Sequence, residues 1–262
     1  MKLFPSLFMP IRLFAICLLL MTQALYAAPW QLRTAARDTP PYYEIDADGK
    51  PRGACPDLFV ALEKQLPELL IVDQKKALSV SLHDAYLERG KLDLLCGFGN
   101  SGKRKEYAEL LAPLWGSLHQ IAVRRDDPIR INSIDELREA SRQRAVLVRR
   151  NSSFANYLQS KDIHIDESTN EFPLMLRMLQ AKRGRILYYD KALLASIIER
   201  AGMNQQLRIA PTVFARTELY FMVAKSVDPQ LRAALRLALQ QLEANGTLSK
   251  IRRKYHIEAP EQ

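Results

Sequence analysis

The stretch of this chain best suited to bind an anion is a glycine-rich loop that ends in an arginine. A short apolar run at 92–95 is typical of a buried strand, and it is followed by Gly97, Gly99, Ser101 and Arg104. Glycine lets backbone N–H groups approach a ligand closely, and a guanidinium can hold a carboxylate through two parallel hydrogen bonds. Ser101 can add a hydroxyl to the same anion. The alternative is that Arg104, which has a lysine on either side, is a solvated surface residue.

Two polar positions in the second half of the chain could face a ligand. Ser152 and Ser153 stand at the start of a predicted helix at 154–159, where unpaired N–H groups and the helix dipole attract anions. Asp190 follows a predicted strand at 186–189 and opens another helix, so its carboxylate could accept hydrogen bonds from a ligand ammonium group. At both positions, simple capping of the helix explains the residue type without any ligand.

The sequence carries no motif of a metal site or of a familiar catalytic centre. None of its four histidines has the spacing that places two metal ligands on one helix, and neither a Gly-x-Ser-x-Gly nor a phosphate-loop pattern occurs. We therefore expect no cofactor and no metal, and not an enzyme. Paired carboxylates in a cleft leave no spacing signature, so catalysis stays open as an alternative.

The charge pattern argues against a nucleic-acid partner. The formal net charge is +9, but acidic residues are interspersed with the basic ones along the chain. A nucleic-acid-binding protein would gather Lys and Arg on one element together with aromatic residues. The two basic runs, at 103–105 and 252–254, are short. We expect a solvated surface with a general attraction for anions.

The first residues have the features of a secretory signal. Basic residues precede an apolar run at 13–21 that is too short to span a bilayer, and small residues follow it up to Ala27. We predict a cleaved signal peptide over residues 1–27, which would place the mature protein in the periplasm. An uncleaved anchor is the alternative. We interpret Cys17 as part of the discarded signal, because it lies inside the apolar run and not after a small residue.

The two remaining cysteines, Cys55 and Cys96, are predicted to form a disulfide. No other cysteine, and no histidine at ligand spacing, accompanies them, and an oxidising compartment favours a bridge over a metal site. Closing a loop of about forty residues stabilises the fold by roughly 4 kcal/mol on the chain-entropy model. Two buried free thiols are the alternative.

The order of the elements predicts an α/β fold. Strand and helix patterns alternate from 31 to 95, which is typical of a parallel sheet flanked by helices. After the glycine-rich loop we predict a helix over about 107–111 and a strand at 119–123. A charged, proline-containing stretch at 124–130 marks a crossing between domains. A capping box at 133–136 then begins a second α/β unit.

Together these segments resemble the bacterial extracellular solute-binding proteins of family 3, the type II periplasmic receptors that serve polar amino acid ABC transporters. The resemblance covers nearly the whole chain after the signal. It rests on short motifs that occur in the order seen in the family: Pro41-Tyr42-Tyr43, Gly49 to Leu58, Gly90-Lys-Leu-Asp93, Gly97 to Arg104, and Leu231 to Tyr255.

The resemblance implies two α/β lobes, each a mainly parallel sheet flanked by helices, joined by two crossing strands that act as a hinge. Lobe 1 would comprise residues 28–122 plus 220–262, and lobe 2 would comprise residues 123–219. A ligand between the lobes would favour the closed state because it contacts both of them.

The resemblance also implies a set of ligand-binding residues. In this scheme the arginine and the serines bind a ligand carboxylate, the aspartate takes a ligand amine, and a tyrosine covers the apolar part of the ligand. The implied residues are Tyr42, Tyr43, Gly97, Gly99, Ser101, Arg104, Ser152, Ser153 and Asp190.

The function that the resemblance implies is capture of an amino acid or a related small carboxylate by a monomer that delivers it to the membrane permease of an ABC transporter. Two other roles are known on this fold. One is a ligand-sensing receptor for a membrane partner. The other is an envelope enzyme such as a cyclohexadienyl dehydratase, for which Asp190 would be the first candidate acid or base.

Overall fold

The computed structural model describes residues 30–100 and 103–261. The predicted signal peptide and Ser101 lie outside the described residues. The described strands are β1 (Trp30–Arg33), β2 (Glu44–Ile45), β3 (Pro51–Arg52), β4 (Leu69–Val72), β5 (Leu94–Gly99), β6 (Ala108–Arg124), β7 (Val146–Leu147), β8 (Ile165–Asp166), β9 (Leu187–Asp190), β10 (Leu207–Ile209) and β11 (Ala215–Ala224). The described helices are α1 (Ala54–Gln65), α2 (Val80–Glu88), α3 (Arg104–Tyr107), α4 (Ile134–Gln143), α5 (Ser153–Gln159), α6 (Phe172–Gln180), α7 (Lys191–Arg200), α8 (Pro229–Ala244) and α9 (Thr247–Lys254).

The first part of the chain has the alternating strands and helices that the sequence predicts. Strands β1 and β4 pair in parallel, with Trp30 opposite Leu69. Strand β5 lies beside β1, where the Asp93 N–H donates to the Arg33 carbonyl at 2.8 Å. Helices α1 and α2 connect these strands, and α8 and α9 return to pack on the same body. We call this body lobe 1.

Two long strands connect this body to the second one. Strand β6 pairs antiparallel with β11, from Ala108 opposite Ala224 to His119 opposite Ala215. Strand β11 also pairs with β5 of lobe 1, whereas β6 also pairs with β9 and β10 of the second body. These are the crossing strands that the family resemblance implies.

The helix predicted over about 107–111 is wrong. Helix α3 ends at Tyr107, and β6 begins at Ala108 and continues to Arg124. A short apolar run fits either a helix or a buried strand. Pairing with β11 decides between them, because it gives the backbone groups of this segment their hydrogen-bond partners. The strand predicted at 119–123 is the end of this longer strand.

The second body, lobe 2, is built from β7 to β10 and α4 to α7. Leu147 of β7 lies in parallel register with Asp166 of β8 and Leu187 of β9. The sheet that contains them has 7 strands and is mixed, because the crossing strands run antiparallel to their neighbours. The two-lobe α/β fold is therefore confirmed. The residue boundaries of the lobes stay a prediction.

Local sequence signals place the helix starts correctly. The Ser133 hydroxyl oxygen accepts from the Glu136 N–H at 3.2 Å, and the Glu136 carboxylate accepts from the Asn132 N–H at 2.8 Å. The predicted capping box is thus present in a shifted form, because Glu136 reaches back to the N–H of the residue before the cap and not to that of Ser133 itself. Asp228 caps α8 in the same way, accepting from the Gln230 N–H at 2.7 Å.

Cys55 and Cys96 form the predicted disulfide, with 5.9 Å between their Cα atoms. Both residues are buried. The bridge joins the first turn of α1 to β5, directly before Gly97. The prediction of a loop from Gly97 onward is wrong at its start, because β5 pairs with β11 as far as Gly99, and the bridge therefore ties this strand to a helix of lobe 1.

The part of the chain that the structure describes lacks both a membrane-spanning helix and a metal-binding cluster. No helix in it is long and apolar enough to cross a bilayer. It also contains no group of three or more His, Cys, Asp or Glu side chains that could hold a metal ion.

Candidate functional site

A narrow cavity lies between the two lobes. Lobe 1 and the crossing strands contribute Arg37, Thr39, Tyr42, Val80, Gly97, Phe98, Gly99, Arg104 and Leu219. Lobe 2 contributes Ser152, Ser153, Phe154, Tyr189, Asp190 and Leu193. The cavity has an accessible volume of about 40 Å³, which is room for a few water molecules or a small polar group. A larger ligand needs the lobes to open.

Most of the predicted site residues line this cavity: Tyr42, Gly97, Gly99, Arg104, Ser152, Ser153 and Asp190. Tyr43 does not. Its side chain is buried within lobe 1, where its ring meets the edge of Phe59 and its hydroxyl donates to the Gln74 carbonyl at 2.7 Å. Ser101 lies outside the described residues. The structure thus brings the predicted residues of both lobes together, and their roles toward a ligand stay predictions.

Arg104 is paired within lobe 1. Its Nε and Nη2 donate to the two carboxylate oxygens of Asp84 at 2.7 and 2.9 Å, and its Nη1 donates to the Gly99 carbonyl at 2.6 Å. Only 7% of Arg104 is exposed, so it is not the solvated surface residue considered as the alternative. Asp84 occupies one bidentate edge of the guanidinium and balances its charge.

Asp190 is the N-cap of α7 and the centre of a network that links the lobes. Its Oδ1 accepts from the Leu193 N–H and from the Tyr42 hydroxyl, both at 2.9 Å. Its Oδ2 accepts from the Ser117 hydroxyl at 2.8 Å. Burial raises the pKa of this carboxyl, and the three donors oppose the shift. Because Tyr42 belongs to lobe 1, its hydrogen bond connects the two lobes directly.

The two serines at the start of α5 play different parts. The Ser152 oxygen accepts from the Ala155 N–H at 3.1 Å, and its hydroxyl donates to the Arg149 carbonyl at 2.7 Å. Ser152 is therefore the helix cap. Ser153 faces lobe 1, since a Cβ atom placed on Gly99 would lie 3.3 Å from its hydroxyl oxygen. Because Gly99 has no side chain, the start of α5 can approach the end of β5 this closely.

Sequence reasoning missed a second arginine in the cavity. Arg37 lies over the Phe98 ring, with 4.0 Å from its guanidinium carbon to the ring centroid, and it donates to the Gly97 carbonyl. Its Nε and the Thr39 hydroxyl are buried without a partner among residues 30–100 and 103–261. The sequence feature that could have indicated Arg37 is its position shortly after β1, because loops at the carboxyl ends of strands in α/β folds face ligands.

The environment of Arg37 is electropositive. Burial lowers the pKa of its guanidinium to about 10, and the nearby Arg149 and Arg104 act in the same direction. Arg37 nevertheless keeps its charge at neutral pH. The lobe 1 side of the cavity thus presents a cation that is incompletely compensated by the described residues.

Two buried histidines lie behind the cavity wall. The His83 ring is 5.2 Å from the Phe98 ring, and the His119 ring is 4.5 Å from the Phe154 ring. Burial lowers the pKa of each imidazole to about 4, so both are neutral at pH 7. Neither lines the cavity, and its described lining includes no histidine and no free cysteine.

Comparison with known sequences identifies one matching family. The sequence profile of the Bacterial extracellular solute-binding proteins, family 3, matches residues 32–258, which is most of the chain. No curated protein sequence matches.

Several solved structures share the fold. A variant of the arginine-binding protein ArgBP from T. maritima is 21% identical with a TM-score of 0.72, and the match covers 86% of this chain and 95% of that one. A histidine kinase sensor domain similar to periplasmic binding proteins is 24% identical with a TM-score of 0.75, over 88% of this chain and 98% of that one. The ancestral amino acid-binding protein AncCDT-1, a precursor of cyclohexadienyl dehydratase, is 21% identical with a TM-score of 0.71, over 86% and 95% of the two chains. At these identities the likeness shows the fold, which is that of type II periplasmic binding proteins.

Proposed function

Because this chain belongs to the bacterial extracellular solute-binding proteins of family 3, we propose that it captures a small polar solute between its lobes in the periplasm and delivers it to the permease of an ABC transporter. The solute class that we propose is an amino acid or a related small carboxylate. In this proposal the protein acts as a monomer, and it uses no metal, cofactor or nucleic acid.

The observation that carries the proposal is the cavity lined by both lobes. Its lobe 1 wall holds two arginines, Arg37 and Arg104, and its lobe 2 wall holds Ser153 and Asp190. A solute bound there contacts both walls at once. It therefore stabilises the closed arrangement by the contacts that it makes with the second lobe, which is the physical basis of capture.

We further propose that the solute is released unchanged. The only carboxylate in the described lining is Asp190, and it already accepts three hydrogen bonds. A general acid or base must lie within hydrogen-bond reach of the proton that it moves, whereas protein donors occupy most of the acceptor positions of Asp190. The described cavity offers neither a histidine nor a free thiol for that purpose.

The first test is a thermal-shift screen of the oxidised protein against amino acids, polyamines and small carboxylates, followed by calorimetry on any compound that responds. A compound present at a hundred times its Kd stabilises the fold by about 2.7 kcal/mol, which raises Tm by roughly 5 to 10 °C for a chain of this size. NMR of the recovered compound should show it unaltered. A screen in which no compound raises Tm would contradict the proposed function.

Two neighbouring tyrosines provide a matched pair of variants. Tyr42→Phe removes a hydroxyl that lines the cavity and bonds to Asp190, whereas Tyr43→Phe removes one that bonds to Gln74 inside lobe 1. Loss of one hydrogen bond is worth about 1 kcal/mol, or roughly fivefold in Kd. We expect this loss for Tyr42→Phe and no change in Kd for Tyr43→Phe. Equal effects of the two variants would place the binding site elsewhere.

A further inference from the structure

Arg37 is a cation in the cavity wall that lacks a carboxylate partner in the described part of the chain. Its guanidinium donates to the Gly97 carbonyl and stacks on the Phe98 ring, while its Nε has no partner there. A guanidinium carries five N–H donors and is most stable when a carboxylate satisfies them in pairs. Arg37 as a whole is partly exposed, but its Nε is buried, and a buried polar atom without a partner is costly to the fold. An anion from outside the protein would therefore satisfy the remaining donors of Arg37 and balance its charge.

Arg104 is less available to a ligand than Arg37, because its guanidinium already has a carboxylate partner. Asp84 holds its Nε and Nη2, and the Gly99 carbonyl holds its Nη1. A ligand carboxylate would have to compete with Asp84 for that edge and would meet a charge that is already balanced. Of the two arginines in the cavity lining, Arg37 is thus the one whose charge is available.

Among the described lining residues, the one carboxylate that could receive an ammonium group is already largely occupied. Asp190 accepts three hydrogen bonds from the protein, and the Gly97 and Gly99 carbonyls already accept from Arg37 and Arg104. An ammonium group brings three donors and a positive charge, and it would stand close to two guanidinium groups. These features favour an anion and disfavour a zwitterion.

We propose that the cavity binds a small organic acid that carries no ammonium group, and that Arg37 holds its carboxylate. This inference rests on the proposed function and narrows its substrate class. The Thr39 hydroxyl, which is also buried without a described partner, adds a polar contact for the same anion. Phe98, Leu193 and Leu219 supply apolar surface for the carbon skeleton.

The experiment compares acids with their amino counterparts on the intact oxidised chain at pH 7. Calorimetric titrations use succinate against L-aspartate, glutarate against L-glutamate, and lactate against L-alanine. For the pair that binds, we expect the acid without the amine to have a Kd at least about tenfold lower. This comparison uses the unaltered protein and needs no variant to fold.

The same titrations are then made on Arg37→Gln, Arg37→Lys and Arg89→Gln. Loss of a desolvated charge partner should raise the Kd of the acid about 30-fold or more in Arg37→Gln. Arg37→Lys keeps the charge and should retain part of the affinity. Arg89→Gln removes the same charge from an exposed position outside the cavity, so its Kd should stay within about twofold.

The outcomes separate this inference from the function on which it rests. An amino acid that binds more tightly than its acid counterpart would overturn the inference and leave solute binding intact. An acid whose Kd is equal in Arg37→Gln and Arg89→Gln would also overturn the inference and leave solute binding intact. If none of the six compounds binds while the wider screen yields a ligand of another class, the inference fails and the proposed function stands. If the wider screen also yields no ligand, the proposed function itself fails.

Discussion

Replacing Asp84 by asparagine would test whether Arg104 depends on an internal partner. The variant keeps the size of the side chain but removes the charge that faces the guanidinium. The Arg104 side chain is 8% exposed and that of Asp84 is 31% exposed. Breaking a fully buried ion pair costs about 3 to 5 kcal/mol, and the partial exposure of Asp84 reduces this to about 2 kcal/mol. For a chain of this size the loss corresponds to a fall in Tm of roughly 4 to 8 °C.

The assay is urea unfolding at pH 7 with the disulfide intact, made beside a matched control. Glu88 lies on the same helix as Asp84 and faces Lys103 at 4.0 Å, with both side chains about half exposed or more. Glu88→Gln therefore removes the same charge from a solvated pair and should change the free energy of unfolding by less than about 0.5 kcal/mol. Equal losses in Asp84→Asn and Glu88→Gln would refute the reasoning, because they would show that burial of Arg104 does not matter.

The same variant also bears on the cavity. In Asp84→Asn one amide oxygen can still accept from Arg104, so Arg104 loses one of its two hydrogen bonds to this residue and the lobe 1 wall becomes more positive. Any small carboxylate that binds the unaltered protein should bind Asp84→Asn more tightly, in spite of its lower stability. Calorimetry that shows weaker binding would mean that Asp84 orients Arg104 for the ligand and does not compete with it.

Two further predictions concern pH and the disulfide. Burial lowers the pKa values of His83 and His119 from the ordinary value of 6.5 to about 4, so between these values the unfolded chain binds protons that the folded chain does not. Stability should therefore fall as pH is lowered from 6.5 to about 4, by up to roughly 3 kcal/mol for each histidine, and urea midpoints that stay constant over this range would contradict the assignment. The raised pKa of Asp190 acts with the opposite sign, because its burial favours the protonated form. Reduction of the bridge between Cys55 and Cys96, which are 41 residues apart, should lower the free energy of unfolding by about 4 kcal/mol. A loss below about 1 kcal/mol in urea melts with and without reductant would show that the bridge does not constrain the unfolded chain.

Much of the fold could be predicted from short-range patterns. The capping box at Ser133, the cap at Asp228 and the strand at Leu69–Val72 depend on residues within a few positions of one another. Such signals act through the local backbone and survive in any tertiary setting. The segment after α3 shows where such local signals do not decide the structure. Its apolar residues suit a helix or a strand, and only its pairing with β11, about a hundred residues later, makes it a strand.

The sequence indicated most of the residues that line the candidate cavity but not how they pair with one another. Sequence motifs indicated the glycine-rich loop, the start of α5 and Asp190, and the structure brings these together in one cavity. They did not indicate that Tyr42 would bond to Asp190 across 148 positions of sequence, or that Tyr43 would turn into lobe 1. Neighbouring tyrosines have the same chemistry, so only packing distinguishes the one that faces the cavity.

The amino-acid sequence by itself determined the α/β pattern of the chain, several helix caps, the cysteine pair and the family. The tertiary structure decided which charges are left for a ligand. Arg104 finds Asp84 on α2, whereas Arg37 finds only a carbonyl and an aromatic ring among the described residues. The availability of a cation depends on the distance to every carboxylate around it, and that distance is set by how separate elements pack.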